Sequence, residues 1–112
     1  LLDWVPDEKA DLVLSMEVFY YVNDPLKLIN HVVKNYLKPL GRLIIGIDYY
    51  KENKASESWP LDCGISIMTR LSEKEWTEGF IKSGLANVIT WREGQKDNWA
   101  GTLVLTGKKP RD

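Results

Sequence analysis

Asp11-Leu12-Val13-Leu14-Ser15-Met16, then Asn23-Asp24-Pro25, then Arg42-Leu43-Ile44-Ile45-Gly46-Ile47 is the run of sequence that decides the fold. Its first six residues form a short apolar stretch behind the turn Pro6-Asp7-Glu8, which reads as a buried strand. Asp24 suits the residue before a helix, where its carboxylate can accept from an unpaired N–H, and Pro25 suits the first helical position. Beyond it Leu26, Ile29, Val33, Tyr36 and Leu37 recur at helical spacing, with Lys27, His31, Lys34 and Lys38 on the other side. The later lysines complement the negative C-terminal end of that helix. Pro39 and Gly41 are expected to stop it. Arg42 to Ile47 then reads as a second buried strand closing on Asp48-Tyr49-Tyr50. Two strands joined by a helix should lie parallel.

Outward from this core the signals weaken, then return. From about Lys51 to Arg70 there is no clear period, although Ile65, Ser66, Ile67 and Met68 hint at some order. A segment of that length inside a compact domain is usually a functional loop or a lid. Ser72 and Glu75 form an S-x-x-E capping box, and Leu71 can staple onto Trp76. Trp76, Phe80 and Ile81 are expected to supply the apolar stripe of this second helix, with Gly84 as its stop. Ala86 to Arg92 reads as a strand, Gln95-Lys96-Asp97-Asn98 as a turn, and Thr102 to Thr106 as the last strand of a hairpin packed by Trp91 and Trp99. Gly107 to Asp112 reads as a solvated tail. The order is strand, helix, strand, helix, hairpin: an α/β single domain over residues 1–112, half of an open Rossmann-like sheet with a mixed, antiparallel edge.

Composition narrows the function classes. With 44% apolar and 28% charged residues the 112-residue chain belongs with ordinary globular domains rather than disordered ones. A net charge of −1 from 15 basic and 16 acidic residues gives no basic stripe for tracking nucleic-acid phosphates. No apolar run approaches the roughly 18 to 20 residues of a membrane-spanning helix. The single cysteine, Cys63, can form no internal disulfide and is too few for a zinc site, so a reducing cytoplasmic setting is the expectation. A chain opening on Leu1-Leu2-Asp3-Trp4, with neither initiator Met nor signal-peptide pattern, reads as a fragment or an engineered domain.

Several phrases in order carry a resemblance. Pro6-Asp7-Glu8-Lys9-Ala10-Asp11-Leu12-Val13-Leu14-Ser15-Met16-Glu17-Val18, Tyr21-Val22-Asn23-Asp24-Pro25 and Leu37-Lys38-Pro39-Leu40-Gly41-Arg42-Leu43-Ile44-Ile45 resemble the second half of class I S-adenosylmethionine-dependent methyltransferases, in particular the type 11 group. The similarity covers nearly the whole chain. Tyr21 stands where a His is frequent, and Leu40 replaces the first Gly of a usual pair. The family's glycine-rich cofactor loop and its ribose-holding acidic residue precede the matched stretch. The resemblance therefore implies one wall of an S-adenosylmethionine pocket and most of the substrate side, inactive and without appreciable cofactor binding as an isolated fragment.

Methyl transfer from a sulfonium is a direct displacement, in which holding two groups in line can be worth roughly 7 to 11 kcal/mol. No catalytic triad is needed, and none is visible. Ligands in open α/β sheets sit outside the carboxyl ends of the strands. That places Ser15, Met16 and Glu17 as cofactor-side candidates, and Tyr20, Tyr21, Asp48, Tyr49, Tyr50 and Trp59 as substrate-side candidates. Each has a plainer reading. Glu17 can simply solvate its loop, Asp48 can form a turn, and the aromatics, with Phe19, can pack the helix and the irregular segment. An aromatic face, in turn, attracts a sulfonium. His31 reads as an exposed helical residue, and Cys63 as a loop thiol without a local partner.

Three function classes remain open: part of an enzyme acting on a small-molecule or other unidentified methyl acceptor; a non-catalytic module that pairs its exposed first-strand edge with a second copy or a partner; and another nucleotide-binding Rossmann fragment, which lacks G-x-G-x-x-G.

Overall fold

The computed structural model describes residues 6–20, 22, 24–59, 68–97 and 99–111. Strand β1 (Ala10–Met16) pairs in parallel with β2 (Leu37–Ile47), the two joined by helix α1 (Pro25–Asn35). Helix α2 (Glu73–Lys82) leads into β3 (Ala86–Glu93), which pairs antiparallel with β4 (Thr102–Lys108). It is β4, not β3, that lies against β2, so the sheet order is β1-β2-β4-β3. The expected parallel pair, terminal hairpin and mixed sheet are all present.

α1 begins as its sequence dictates. The Asp24 carboxylate accepts from the Lys27 N–H at 3.1 Å, and Pro25 fills the first turn. Its buried stripe is Leu28, Ile29, Val32 and Val33. The helix ends at Asn35, earlier than the periodicity suggested, and Leu37 is a fully buried residue of β2. Two causes act together. The residue before Pro39 is steered away from the helical region. Lys109 Nζ also donates to the carbonyl of Val33 (2.8 Å), an acceptor that the last helical turn leaves open, and to that of Leu37 (2.9 Å), the first residue of β2.

Pro39, Leu40 and Gly41 therefore lie within β2 rather than beyond a helix. Ala10 faces Leu37 whereas Leu12 faces Arg42, so β2 advances five residues while β1 advances two. The surplus is taken up by Leu40 at φ 68° and by a close approach at Gly41, where a Cβ would lie 2.8 Å from the Lys38 carbonyl and 3.1 Å from that of Asp11.

In α2 the capping box is complete: the Glu75 N–H donates to Ser72 Oγ at 3.1 Å, and the Ser72 N–H to Glu75 Oε1 at 3.0 Å. The buried stripe is Trp76, Gly79 and Phe80. Ile81, expected in it, is exposed, because it falls about 100° round the helix from Phe80. Gly84 takes φ 90° as the helix stop. At the other end of the chain the expected tail is partly structural. Gly107 is buried in β4 against Leu85 and Phe80, and Lys109 caps α1.

Leu43, Ile45 and Ile47 of β2 and Leu103 and Leu105 of β4 form the core with α1 and α2. The side chains of Leu12, Leu14, Met16, Ile44, Val104, Ile89 and Trp91 alternate onto the opposite face, which no helix or strand covers among the described residues. Trp91 thus points away from the core, whereas Trp99 packs against Trp59.

Candidate functional site

β1 and β2 end side by side and in parallel, so their carboxyl ends open onto one rim, close to where β4 begins. Glu17 follows β1 in a left-handed conformation, φ 61°, with its N–H bonded to the Gly46 carbonyl at 2.8 Å. A non-glycine residue there is strained, and the strain is held by specific contacts. Glu17 Oε2 accepts from the Tyr20 hydroxyl at 2.5 Å and from the Asp48 N–H at 3.2 Å. Burial raises the Glu17 pKa, the Tyr20 hydrogen bond opposes that, and the negative charge of Asp48 adds to it. A carboxyl in this state is suited to holding or accepting a proton.

Asp48 anchors the next part of the rim. Its Oδ1 accepts from the Thr102 hydroxyl at 2.6 Å, and its carbonyl accepts from Asn53 Nδ2 at 2.8 Å. Asn53 is fully buried, and its Oδ1 accepts from the Ala100 N–H at 3.3 Å. One buried amide thus ties the end of β2 to the approach of β4. Beside this lies a row of rings: Tyr20 to Tyr49 at 5.3 Å, Tyr49 stacked on Trp59 at 6.3 Å, and Trp59 to Trp99 at 5.9 Å.

Only some of the candidates named from sequence converge. Glu17, Tyr20, Asp48, Tyr49 and Trp59 share the rim. Ser15 and Met16 diverge, as neighbours in a strand must. Ser15 turns to the helix side, where Val13, Val18, Phe19, Leu28, Val32 and Tyr36 complete a cavity of about 150 Å³. Met16 lies on the uncovered face, with its thioether over Gly46. Tyr20 and Tyr49 are buried, so they offer packed rings rather than an open wall. Tyr50 is a core residue: it is fully buried, its hydroxyl donates to the Gly101 carbonyl at 2.7 Å, and the Arg92 guanidinium lies 5.6 Å from its ring centre. Tyr21 lies outside the described residues, as does Cys63. His31 is half-buried, with its ring beside Tyr36 and Asn35. Sequence reasoning missed Asn53 and Thr102. Asn53 sits in an aperiodic segment where nothing distinguishes a buried amide from a solvated one, and Thr102 reads only as a strand residue.

Among the described residues no group of His, Cys, Asp and Glu is placed to hold a metal ion, and no helix is long and apolar enough to cross a membrane.

No family model and no curated protein matches the sequence. Solved structures do match. The chain is similar to the methyltransferase chain in a complex with the Haloferax volcanii Trm112 methyltransferase activator, at 32% identity and a TM-score of 0.77, covering 99% of this chain and 59% of that one. It shares its fold with an S-adenosylmethionine-dependent methyltransferase from Thermotoga maritima (20% identity, TM-score 0.68, 94% and 58% covered). It also shares it with the N-methyltransferase NodS from Bradyrhizobium japonicum, solved with S-adenosyl-L-homocysteine (22%, 0.64, 97% and 50%). This chain spans between half and three-fifths of those proteins.

Proposed function

We propose, from the premise that this chain is a partial methyltransferase-like fold, that it is one part of an S-adenosylmethionine-dependent methyltransferase domain acting on an unidentified acceptor. The observation that carries the reading is the 32% identity along 99% of the chain to the methyltransferase chain of the Haloferax volcanii complex. The rim supports it: Glu17, Asp48 and the adjoining rings stand outside the carboxyl ends of parallel strands, where such folds bind ligands.

The chain's residues fit one side of a cofactor and acceptor pocket. Glu17 Oε2 is engaged by Tyr20 and Asp48, while its carboxyl as a whole is half-buried and able to hold a proton at the rim. S-adenosylmethionine, when bound, would supply the methyl group. The chain's own work is then to position an acceptor and take up its proton, and Asp48, held by Thr102 and Asn53, keeps Glu17 in place. No glycine-rich phosphate- or cofactor-cradling loop occurs in the 112 residues, so the chain alone is proposed to bind the cofactor negligibly. A protein partner belongs to the same reading, since the Haloferax volcanii relative is found with an activator protein.

Calorimetry with S-adenosyl-L-homocysteine tests this. The 112-residue chain is expected to give no micromolar binding, and the coding sequence upstream of Leu1 to encode a strand followed by a glycine-rich loop. Micromolar binding by the chain alone, or an upstream sequence of another kind, would overturn the reading. A second reading, association through the edge of β1, is favoured by one observation: β1 is an outer strand of the four, yet carries Leu12, Val13 and Leu14 in succession with neither proline nor lysine to blunt it.

A further inference from the structure

Thr69, Arg70 and Leu71, just ahead of α2, hold both loops of the rim. The Thr69 N–H donates to the Tyr20 carbonyl at 2.8 Å, and the Thr69 hydroxyl donates to the Val22 carbonyl at 2.5 Å. Both acceptors lie in the loop after β1. On the other side, Arg70 Nη2 donates to the carbonyls of Lys51 (3.2 Å) and Asn53 (3.4 Å). The Lys51 N–H donates to the Leu71 carbonyl at 3.0 Å. These groups belong to the loop after β2, where the Asn53 side chain in turn bonds the Asp48 carbonyl. The three residues form a strap across the rim, and it is anchored at one end. Ser72, the next residue, opens α2 inside the closed capping box, so the strap leaves a helix whose first turn is fixed. Less conformational entropy is then lost in making its bonds.

Tyr20, which the strap grips by its main chain, is the residue whose hydroxyl bonds Glu17 Oε2 at 2.5 Å. Its ring is buried and packed on Tyr49, with 5.3 Å between centres. A packed tyrosine ring has few side-chain torsions to adjust, so its main chain sets where the hydroxyl stands. Bonds to the Tyr20 carbonyl and, two residues on, to that of Val22 therefore hold the hydroxyl against the carboxyl. A shift of the loop would weaken that bond, because hydrogen bonds to a carboxylate depend on length and angle together.

We propose that Thr69 is a positioning residue for Glu17: by gripping the loop after β1 it holds the Tyr20 hydroxyl on the Glu17 carboxyl. The inference rests on the reading of Glu17 as the proton-taking group of the rim. It adds to that group a residue from the far end of the aperiodic segment, where a threonine carries no signal of its own.

A titration of the Glu17 carboxyl carbon by NMR, in the 112-residue chain and without cofactor, tests it. The groups acting on Glu17 are the Tyr20 hydroxyl and Asp48, with its charge and its N–H. The Tyr20 bond holds the Glu17 pKa down against burial, so Tyr20→Phe should raise it. Thr69→Val keeps the shape and the N–H but loses the Val22 bond, and should raise it by a smaller amount. With Tyr20→Phe already present, Thr69→Val should add nothing, because the two act through one contact. Thr69→Ser keeps the hydroxyl and should restore the wild-type titration. Thr77→Val, which removes a hydroxyl bond to the Glu73 carbonyl within α2, should leave Glu17 unmoved. Circular dichroism checks that each variant is folded, and Thr69→Ala carries the test if the valine variant is not. A folded Thr69 variant that lowers the urea midpoint without moving Glu17 overturns the proposal, since it marks a bond that only supports the fold. Additive shifts in the double variant, or an equal shift in Thr77→Val, overturn it too. Calorimetry and the upstream coding sequence judge the methyltransferase reading; the titration judges the strap whichever way they fall.

Discussion

At the scale of single residues, Leu40 and Glu17, two of the three described non-glycine residues in the left-handed region, carry different lessons. Leu40 sits at φ 68° in the stretch of β2 that absorbs the surplus residues, with its side chain about half exposed. An L-residue pays roughly 1–2 kcal/mol for that conformation, whereas glycine pays about 0.5–1 kcal/mol in lost chain entropy. Leu40→Gly is therefore expected to stabilise the fold by about 0.5 kcal/mol, and Leu40→Val to destabilise it, as read by urea midpoints. Glu17, at φ 61°, is held by the rim instead. Burial, with Asp48 nearby, raises its pKa above the unfolded value, so the folded state keeps its proton longer than the unfolded chain does. Its contribution is then full below the ordinary carboxylate range and is lost as pH rises through the folded pKa. Glu17→Gln keeps an oxygen for Tyr20 and for the Asp48 N–H but has no charge to bury. Its melting temperature should match wild type near pH 4 and exceed it at pH 7, a difference that melts across that range would reveal. The Asp24-Pro25 helix start was legible because its mechanism is local. The strain at Glu17 was not, because what holds it is Tyr20 in the loop after β1 together with Asp48, 31 residues away and just past the end of β2.

At the scale of elements, α2 shows how far a local motif reaches. Ser72 and Glu75 bond each other's backbone N–H groups, and the Glu75 pKa is lowered by the Ser72 N–H and then by Lys51, whose Nζ lies 3.1 Å away. A lowered pKa gives stability that is present above the unfolded value and disappears as pH falls through the folded one. Ser72→Ala should cost about 1 kcal/mol at pH 7. At acid pH the variant should differ less from wild type, because protonated Glu75 no longer completes the box there. Denaturation at pH 7 and near pH 3 checks both. The same locality explains what periodicity misjudged. Tyr36 and Leu37 continue a helical spacing, yet the helix ends at Asn35 because Pro39 lies ahead and Lys109, 76 residues from Val33, supplies the cap. Ile81 follows the apolar composition of its helix but not its angle. Sequence spacing registers neither a distant lysine nor which neighbour a helix face will meet.

At the scale of the molecule, strand directions could be read but strand order could not. A helix between β1 and β2 forces them parallel, and a short turn makes β3 and β4 a hairpin. Nothing local says that the second hairpin strand enters the sheet. The cause is visible in burial: β4 presents Leu103, Leu105 and Gly107 to the core and can be buried on both faces, whereas β3 alternates half-buried Val88, Thr90 and Arg92 with exposed neighbours and suits an edge. That order sets β4 beside β2 and lets Asn53 span them, bonding the Asp48 carbonyl on one side and, 47 residues along the chain from Asn53, the Ala100 N–H on the other. Asn53→Ala would leave both groups unpaired around a wholly buried site, and each such group costs about 1–3 kcal/mol. A loss of about 2–3 kcal/mol in urea is expected. Because Asp48 is the residue that faces Glu17, the same change should loosen the rim as well as the fold. Hydrogen exchange separates the two effects. The Asp48 and Ala100 amides should lose more protection than the amides of α1, which share the overall loss but not the broken contact. Equal losses at all of them would mean that Asn53 supports the core alone and leaves the rim untouched.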